Sequence, residues 1–335
     1  MTRRRQTVVR LAGVLCVGLV TTGIAVGAAA QTVDLVLVSS IHGPADLVEV
    51  QDGRAYVTAE RTLTVFDISD AANPKRGGAY TFPEKIWGFQ VDGSLIYAAV
   101  DFFGLGILDV SDIAAPALRG SVKTPGQAKG VAVFGSKALV ADHMEGVDLV
   151  DLSDLTAPVA MGSFYLDGYS RDITAAGSLA YAVDSPTGLY VFDLSSPDPL
   201  EPVATVQSAR TPSSVEVPAA SGGEIPDIVC MVGGGFLQVY DVSNPAEPVK
   251  TADFRTPSGR PLRVTVRGRL AYVADGPAGL QVVDLTTPSE PTLVGTYPVE
   301  SRARDVAVTD SHVFVVVGER EGDEEGQVLI LRQTS

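Results

Sequence analysis

The chain is poor in the residues that cross-link a protein or bind metals. Of its 335 residues two are cysteines and three are histidines, and Cys16 lies in an apolar N-terminal run. Cys230 is then alone in the rest of the chain, which excludes an intrachain disulfide there. A protein without disulfides depends on its hydrophobic core for stability, and the roughly 305 residues after the N-terminal run are enough to form one.

Motifs of common catalytic and metal sites are missing as well. The sequence contains no Gly-x-Ser-x-Gly nucleophile turn, no His-Glu-x-x-His helix and no Gly-rich phosphate loop. It also contains no Asp-x-Asp-x-Asp-Gly calcium loop. We therefore predict neither a cofactor nor a metal site.

Basic residues are in the minority. The chain has 25 Lys and Arg against 40 Asp and Glu, which gives a formal charge of −15. Such a surface repels nucleic acid phosphates and anionic lipid headgroups, so neither is an expected partner. Most of this charge is explained by solubility.

The first 30 residues differ from the rest. Four arginines lie ahead of an apolar run that ends in Ala28-Ala-Ala30, an order typical of a signal peptide. We predict that residues 1–30 are removed on export and that the rest, with 21 basic and 40 acidic groups, is not inserted in a membrane. The expected location is extracellular, cell-surface or periplasmic. An uncleaved membrane anchor is the alternative, because the run is about 20 residues long.

One strand pattern recurs along the remaining chain. Its six copies are Leu63-Thr-Val-Phe-Asp67, Leu105-Gly-Ile-Leu-Asp109, Val147-Asp-Leu-Val-Asp151, Leu189-Tyr-Val-Phe-Asp193, Leu237-Gln-Val-Tyr-Asp241 and Leu280-Gln-Val-Val-Asp284. Val328-Leu-Ile-Leu-Arg332 is a degenerate seventh copy. The first four aspartates are 42 residues apart, and the later intervals are 48, 43 and 48. A period of about 40 residues built from short strands is typical of a β-propeller.

The sixth repeat illustrates one blade. Its apolar stretches at 262–266, 270–274, 280–285 and 292–297 predict strands A, B, C and D, separated by turns rich in Gly and Pro. The aspartate after each strand C is expected to bond backbone amides of the C–D turn. We therefore predict an all-β fold, a single seven-bladed propeller of four-stranded antiparallel blades over residues 31–335.

The two ends of the chain predict how the ring closes. The seventh repeat has strands A to C but no strand D, because the chain ends after strand C. Leu35-Val-Leu-Val-Ser39 matches the strand D pattern of residues 293–297. We expect this N-terminal strand to complete the last blade and so tie the first and last blades together.

The strand C pattern, with Ala271-Tyr-Val-Ala-Asp275 and Gly279-Leu-Gln-Val-Val-Asp284 around it, resembles the LVIVD-repeat family of exported or surface proteins. The resemblance covers nearly the whole chain after residue 30 and implies a propeller, but no catalytic residues. The chain lacks the Gly-His and Trp-Asp pairs of WD40 repeats. Its one tryptophan, Trp87, also excludes the tryptophan-rich repeat of quinone-dependent dehydrogenase propellers.

Propellers usually bind ligands at one mouth of the central channel, the face that carries the D–A and B–C loops. We call it the mouth face. Five of the seven blades place Lys or Arg there, just before strand A, at Lys85, Lys129, Arg171, Arg260, and Arg302 with Arg304. Arginine beside aromatic rings suits a carboxylated or sugar-like ligand. The predicted ligand-binding residues are Trp87, Lys129, His143, Tyr169, Arg171, Arg302 and Arg304.

Acidic residues on the same face offer other interpretations. The basic residues could simply pair with acids of the B–C loops. Asp142, Asp184 and Asp275 occupy one equivalent position, where a calcium-binding ring is the alternative to hydrogen bonds within each loop. Residues 319–326 make the B–C loop of blade seven six residues longer than its equivalents, and we expect a mobile, solvated flap. Blade five has a similar insertion at 219–226 on the opposite face.

Two function classes remain open. We favour an exported binding protein without catalytic activity, whose partner is a protein, a peptide or a surface glycan. The alternative is a carbohydrate-active lyase or hydrolase, with Lys129, His143, Tyr169 and Arg171 around the channel. An enzyme requires these groups to converge in one pocket, whereas a binding face spreads them over a rim.

Overall fold

The fold is described from a computed structural model, in which residues 32–196, 201–208, 210–218 and 227–334 are described. Within these ranges the chain forms 28 strands and no α-helix. None of the described residues belongs to a helix with the length and hydropathy of a membrane span. The predicted signal peptide, residues 1–30, and the insertion at 219–226 lie outside the described residues.

After the first strand, the others follow one another as six groups of four and a last group of three. The first strand is β1 (Asp34–His42). Blade one contains β2 (Leu47–Gln51), β3 (Arg54–Ala59), β4 (Thr62–Asp67) and β5 (Lys75–Thr81). Blade two contains β6 (Ile86–Asp92), β7 (Leu95–Val100), β8 (Gly104–Asp109) and β9 (Ala117–Val122). Blade three contains β10 (Gly130–Phe134), β11 (Lys137–Ala141), β12 (Val147–Asp151) and β13 (Val159–Phe164).

The remaining blades repeat this order. Blade four contains β14 (Tyr169–Ala176), β15 (Leu179–Ser185), β16 (Gly188–Asp193) and β17 (Pro202–Gln207). Blade five contains β18 (Pro212–Glu216), β19 (Ile228–Gly233), β20 (Phe236–Asp241) and β21 (Val249–Arg255). Blade six contains β22 (Arg263–Arg267), β23 (Leu270–Ala274), β24 (Leu280–Asp284) and β25 (Thr292–Tyr297). Blade seven contains β26 (Ala303–Val308), β27 (His312–Val317) and β28 (Gln327–Thr334).

The seven sheets form a closed ring. In blades one to six the four strands pair antiparallel in sequence order, and strand A of every blade is innermost. Each inner strand packs against the inner strand of the next blade, and β26 of blade seven packs against β2 of blade one. The prediction of a seven-bladed β-propeller is confirmed.

The N-terminal strand completes the last blade, as predicted. β1 pairs antiparallel with β28, with Leu37 opposite Leu331 and a bulge before Ser39. The blade order is therefore β1-β28-β27-β26, which joins both ends of the ring in one sheet. Just before β1, the backbone N–H of Val33 donates to the carbonyl of Val294 in blade six, at 2.8 Å.

The hydrophobic core is divided among the seven contacts between neighbouring blades. Strand β23 shows how alternation produces this arrangement. Ala271 and Val273 pack toward blade five, whereas Tyr272 and Ala274 pack toward blade seven. Both faces of a central strand are thus buried, which explains why these strands are apolar almost throughout.

The aspartate after each strand C fastens the C–D turn. In blade three, the carboxylate of Asp151 accepts hydrogen bonds from the backbone N–H (2.8 Å) and hydroxyl (2.6 Å) of Ser153. These hydrogen bonds lower the pKa of Asp151, since they favour its charged form. In all six complete repeats the carboxylate accepts a hydrogen bond from the backbone N–H two residues later. These aspartates are Asp67, Asp109, Asp151, Asp193, Asp241 and Asp284.

Candidate functional site at the channel mouth

Trp87 lies at the centre of the charged part of the mouth face. The ammonium groups of Lys85 and Lys129 lie over its indole ring, 4.1 and 3.7 Å from the ring centroid. Its Nε1 donates a 3.2 Å hydrogen bond to Asp101, and the second carboxylate oxygen of Asp101 accepts from Gln127 at 3.0 Å. Residues from the D–A and B–C loops thus hold the ring in place and give it a positive environment.

Three of the six basic residues predicted at the mouth keep their charge unpaired. Among the described residues, Lys129, Arg171 and the exposed Arg260 form no ion pair with a carboxylate, and the first two lie beside the aromatic rings. The pKa of Lys129 is lowered, mainly by burial and also by the charges of Lys85 and Arg171. The negative charge of Asp101 opposes this shift. Arg171 is exposed at the same mouth. These two side chains therefore present positive charge at the mouth face.

His143 and Tyr169 form an aromatic pair beside these cations. Their rings stack with centroids 4.9 Å apart and an interplanar angle of 27°. Burial, then the charges of Lys129 and Arg171, lower the pKa of His143, which favours the neutral form of its ring. His143 has a φ of 52°, in the left-handed region, and its carbonyl accepts from the N–H of Ser170 at 2.9 Å. The stack is thus a flat surface fixed by the backbone of two blades.

Arg302 and Arg304 differ from Lys129 and Arg171 because acids of blade seven neutralise them. Arg304 Nη2 lies 3.3 Å from a carboxylate oxygen of Glu321, and Arg302 Nε lies 3.7 Å from Glu319. Lys85 forms an ion pair with the other carboxylate oxygen of Glu321. Pairing with acids of the B–C loops is the alternative that the sequence leaves open for all the basic residues. The structure shows such pairing for Lys85, Arg302 and Arg304.

The acidic loop of blade seven folds onto the ring rather than projecting from it. The backbone N–H of Gly322 donates to Asp46 of blade one at 2.7 Å, and Gly43 donates to the carbonyl of Gly326 at 3.0 Å. Asp323 accepts from the N–H of Glu319 at 2.8 Å. We call residues 319–326 the flap. Its contacts cross from blade seven to blades one and two, which sequence-local reasoning had not predicted.

The aspartates at the end of strand B connect the B–C loops to the D–A loops. Asp142 accepts hydrogen bonds from the hydroxyl of Thr124 (2.9 Å) and the N–H of Gly126 (2.5 Å), both in the preceding D–A loop. Asp184 and Asp275 bond their D–A loops in the same way. The expectation that these aspartates bond their own B–C loops holds for Asp184, whose carboxylate also accepts from the N–H of Thr187 at 3.4 Å. For the carboxylates of Asp142 and Asp275 it is corrected, because their partners are in the D–A loops. Over the described ranges, no three His, Cys, Asp or Glu side chains are grouped as a metal ion would need.

The central channel contains charged residues that were not among the predicted site residues. A cavity of about 650 Å³ runs between the inner strands, and its lining includes Glu49, Asp172, Glu216, Arg263 and Asp305. In the sequence these residues can be recognised as charged side chains within otherwise apolar inner strands. Glu49 and Glu216, for example, each lie between two valines.

Most of these polar channel residues tie one blade to the next. A carboxylate or amide oxygen on one inner strand accepts a hydrogen bond from a backbone N–H on the inner strand of the following blade. This N–H points into the channel from the edge of its sheet, so it finds no partner within that sheet. The four pairs are Val48 N to Asp305 Oδ2 (2.8 Å), Val91 N to Glu49 Oε2 (2.9 Å), Val133 N to Gln90 Oε1 (2.7 Å) and Val215 N to Asp172 Oδ2 (3.2 Å). We call these contacts latches.

The channel meets the mouth at Arg263. Its guanidinium forms a 2.8 Å ion pair with Asp172, and it also donates to the backbone carbonyl of Trp87 at 3.4 Å. Burial raises the pKa values of Glu49 and Glu216 to about 8, with the neighbouring channel carboxylates adding to the effect. The channel therefore holds protons on some of its acids at neutral pH.

The structure brings the seven predicted site residues to one face, in two groups. Trp87, Lys129, His143, Tyr169 and Arg171 surround a surface of unpaired charge and aromatic rings, whereas Arg302 and Arg304 lie under the flap. His143 and Tyr169 stack, and no hydrogen bond joins their side chains in the described part of the chain. The arrangement is that of a rim on which charges and rings are spread.

Known structures agree on the fold. The WD40 domain of Pan2 from Neurospora crassa is similar to this chain with a TM-score of 0.69 at 10% identity, over 92% of this chain and 97% of that domain. At this identity the likeness extends to the propeller fold alone. A search of curated proteins finds no match to the chain.

The sequence family is identified by the repeats themselves. The family model described as LVIVD repeat matches residues 42–81, 86–124, 125–165, 167–203 and 258–299, which together make up more than half of the chain. These segments correspond to blades one to four and blade six, while blades five and seven have the same four-stranded structure. The chain therefore belongs to the LVIVD repeat family.

Proposed function

We propose that this protein is an exported β-propeller that acts by binding, without catalysis, and that it holds an anionic partner on the mouth face. The observation that carries this proposal is the unpaired charge of Lys129 and Arg171 beside the rings of Trp87, His143 and Tyr169. In a chain of net charge −15, two cations without acidic partners at one mouth favour an external carboxylate.

The exposed apolar residues of the same face favour a protein segment as the partner. Phe102 (57% exposed), Met144 (65%) and Tyr165 (68%) lie in its D–A and B–C loops, and Tyr169 (44%) begins strand β14 beside them. Aromatic residues, methionine and arginine are the types enriched where proteins bind one another. A surface glycan with uronic acids shares the carboxylate chemistry and is the competing outcome.

Support for the non-catalytic form of the proposal comes from geometry. A lyase or hydrolase needs a general base aimed at a substrate proton within one enclosed site. Here the His143 ring stacks on Tyr169, and Arg171 is exposed beside them instead of facing a shared cavity. Rings that stack on each other present flat apolar surface, which serves binding.

The test is a binding screen with purified residues 31–335 against acidic peptides and uronate oligosaccharides. We expect acidic peptides to bind, with affinity at least about tenfold lower for Lys129→Ala and Arg171→Ala, because each removes an unpaired cation from the contact. Arg76→Ala, which removes an exposed arginine from outer strand β5, is the matched control. Binding that survives both mouth substitutions, or that is limited to the glycans, contradicts the proposed partner.

Export is tested separately. Val33, three residues after Ala30, already hydrogen-bonds within the ring, so cleavage after Ala30 removes no described strand. Expression of the full chain in a secreting bacterial host should yield protein outside the cytoplasm whose intact mass corresponds to residues 31–335. Protein retained in the cytoplasm, or carrying residues 1–30, contradicts this part of the proposal.

A further inference from the structure

The flap places two carboxylates on the basic residues of the mouth face. Glu321 bridges Lys85 of blade two and Arg304 of blade seven, one carboxylate oxygen to each. Glu319 lies against Arg302 and accepts a 3.1 Å hydrogen bond from the hydroxyl of Ser301. A single acidic segment therefore spans basic residues that belong to two separate blades.

This arrangement is specific to one loop. The loop between β27 and β28 has nine residues, whereas the equivalent loops of the other six blades have two to five, so the six-residue excess expected from the sequence is four to seven residues in the structure. The longer loop carries the acids across blade one, where Gly322 bonds Asp46. The ring itself does not need these ion pairs to close, since β1 and the Asp305 latch already join its ends.

We propose that the flap is an internal ligand of the mouth face, and that the external ligand is an acidic protein segment whose alternate carboxylates replace those of Glu319 and Glu321. The proposal rests on the proposed function and deepens it. In an extended segment, residues two apart point to the same side, so a Glu-x-Glu or Asp-x-Glu sequence presents the same pair of charges. Lys85 contacts both Glu321 and the Trp87 ring. The place that Glu321 occupies therefore adjoins the surface formed by Trp87 and Lys129.

The acids of the flap are more exposed than the basic residues that they cover. The side chains of Glu319 and Glu321 are 67% and 42% exposed, whereas Lys85 and Arg304 are only 16% and 15% exposed. Water and salt therefore screen the Glu319 pair most, while the two cations under Glu321 need a carboxylate from the flap or from a ligand. A bound segment that makes the same ion pairs, and also reaches Lys129 and Arg171, therefore has an advantage over the flap.

The probe is a synthetic peptide with the sequence of residues 319–325, Glu-Arg-Glu-Gly-Asp-Glu-Glu, blocked at both ends. Its affinity is measured by calorimetry for wild-type protein and for the double variant Glu319→Gln/Glu321→Gln. We expect the double variant to bind about tenfold more tightly, because an internal competitor with two exposed ion-pair positions has been removed. The same peptide with glutamine at every acidic position should not bind.

The matched control is Glu324→Gln/Glu325→Gln. It removes the same charge from the same loop, but Glu324 and Glu325 form no ion pairs among the described residues. It should bind the probe as the wild type does. Equal affinity of the two double variants overturns the internal ligand, and if Arg171→Ala still weakens the probe, the proposed function stands without it. Failure of every variant to bind the probe overturns both proposals.

A second measurement follows the flap directly. Arg320 is exposed and lies between the two pairing glutamates, so trypsin cleavage after Arg320 reports how often the flap leaves the ring. For this measurement the arginine of the probe is replaced by glutamine, so that trypsin cannot cut the probe. Cleavage after Arg320 should be faster in the wild type when this probe is present. Probe binding that leaves the rate of this cleavage unchanged in the wild type means that the peptide binds elsewhere, and overturns the proposal.

Discussion

The carboxylate of Asp305, on the last inner strand, accepts a 2.8 Å hydrogen bond from the backbone N–H of Val48, on the first inner strand. The two residues are buried and 257 positions apart in the sequence. This latch joins the ends of the ring beside the channel, while the pairing of β1 with β28 joins them at the outer edge. The ring is thus closed on both its inner and outer circumference.

Removing the latch should destabilise the ring. Asp305→Ala leaves the N–H of Val48 buried without an acceptor, which we expect to lower the free energy of unfolding by about 1–3 kcal/mol. Asp305→Asn keeps an acceptor oxygen at the same place and should remain close to the wild type. Urea unfolding followed by circular dichroism measures both. An alanine variant as stable as the asparagine variant would show that the latch contributes nothing to closure.

The channel acids predict how stability depends on pH. Burial raises the pKa of Glu216 to about 8, above the value of about 4.3 for glutamate in an unfolded chain. Between these values the folded protein keeps a proton that the unfolded chain has lost. Folding therefore takes up protons, and the free energy of unfolding should fall as the pH rises from about 5 to 8. Glu49 contributes in the same direction.

A single substitution tests whether Glu216 causes this pH dependence of stability. Glu216 faces Glu49, Asp172 and Arg263 in the channel, and Glu216→Gln should flatten the fall in stability by up to about 1.4 kcal/mol per pH unit. Glu290→Gln, on the exposed turn between β24 and β25, is the matched control. The measurement is a series of urea titrations at half-unit pH steps. A slope unchanged by Glu216→Gln would place the titrating groups elsewhere.

Trp87 is the one tryptophan of the chain, so its fluorescence reports on the mouth face directly. The nearby ammonium groups of Lys85 and Lys129 should concentrate an anionic quencher around the ring. We expect iodide quenching at low salt to weaken by about twofold in Lys129→Ala, since a potential of order kT changes the local iodide concentration by that much. Quenching by neutral acrylamide, the internal control, should not weaken. A parallel loss with both quenchers would mean that the ring had become less accessible.

Much of the architecture was predictable because the repeats are local. The period of the strand C pattern defines the blades, the unmatched strand near Val36 predicts the closure, and Asp151 and its equivalents bond a serine only two residues away. Each of these inferences needs sequence neighbours alone. The placing of Lys129, Tyr169 and Arg171 on one face follows from the same strand order.

The remaining features depend on which distant residues meet. Glu321 reaches Lys85 across 236 positions, and the register of an inner strand does not reveal that Glu49 will bond Val91 of the next blade. Asp142 bonds the D–A loop instead of its own loop because the antiparallel pairing of the blade brings both loops to the mouth. Contacts of this kind are set by the ring geometry, which a one-dimensional pattern does not specify.

The two function classes are best separated at Tyr169. Its ring stacks on His143, so a binding role depends on the ring and not on the hydroxyl. Tyr169→Phe should bind the acidic peptide as the wild type does, whereas Tyr169→Ala should lose about 0.5–1.5 kcal/mol, or roughly two- to tenfold in affinity. Isothermal calorimetry on both variants measures this, with Arg171→Lys as a check that charge alone is maintained. If a uronate-containing polysaccharide is instead degraded by the wild type and not by Tyr169→Phe, the hydroxyl transfers a proton and the protein is an enzyme.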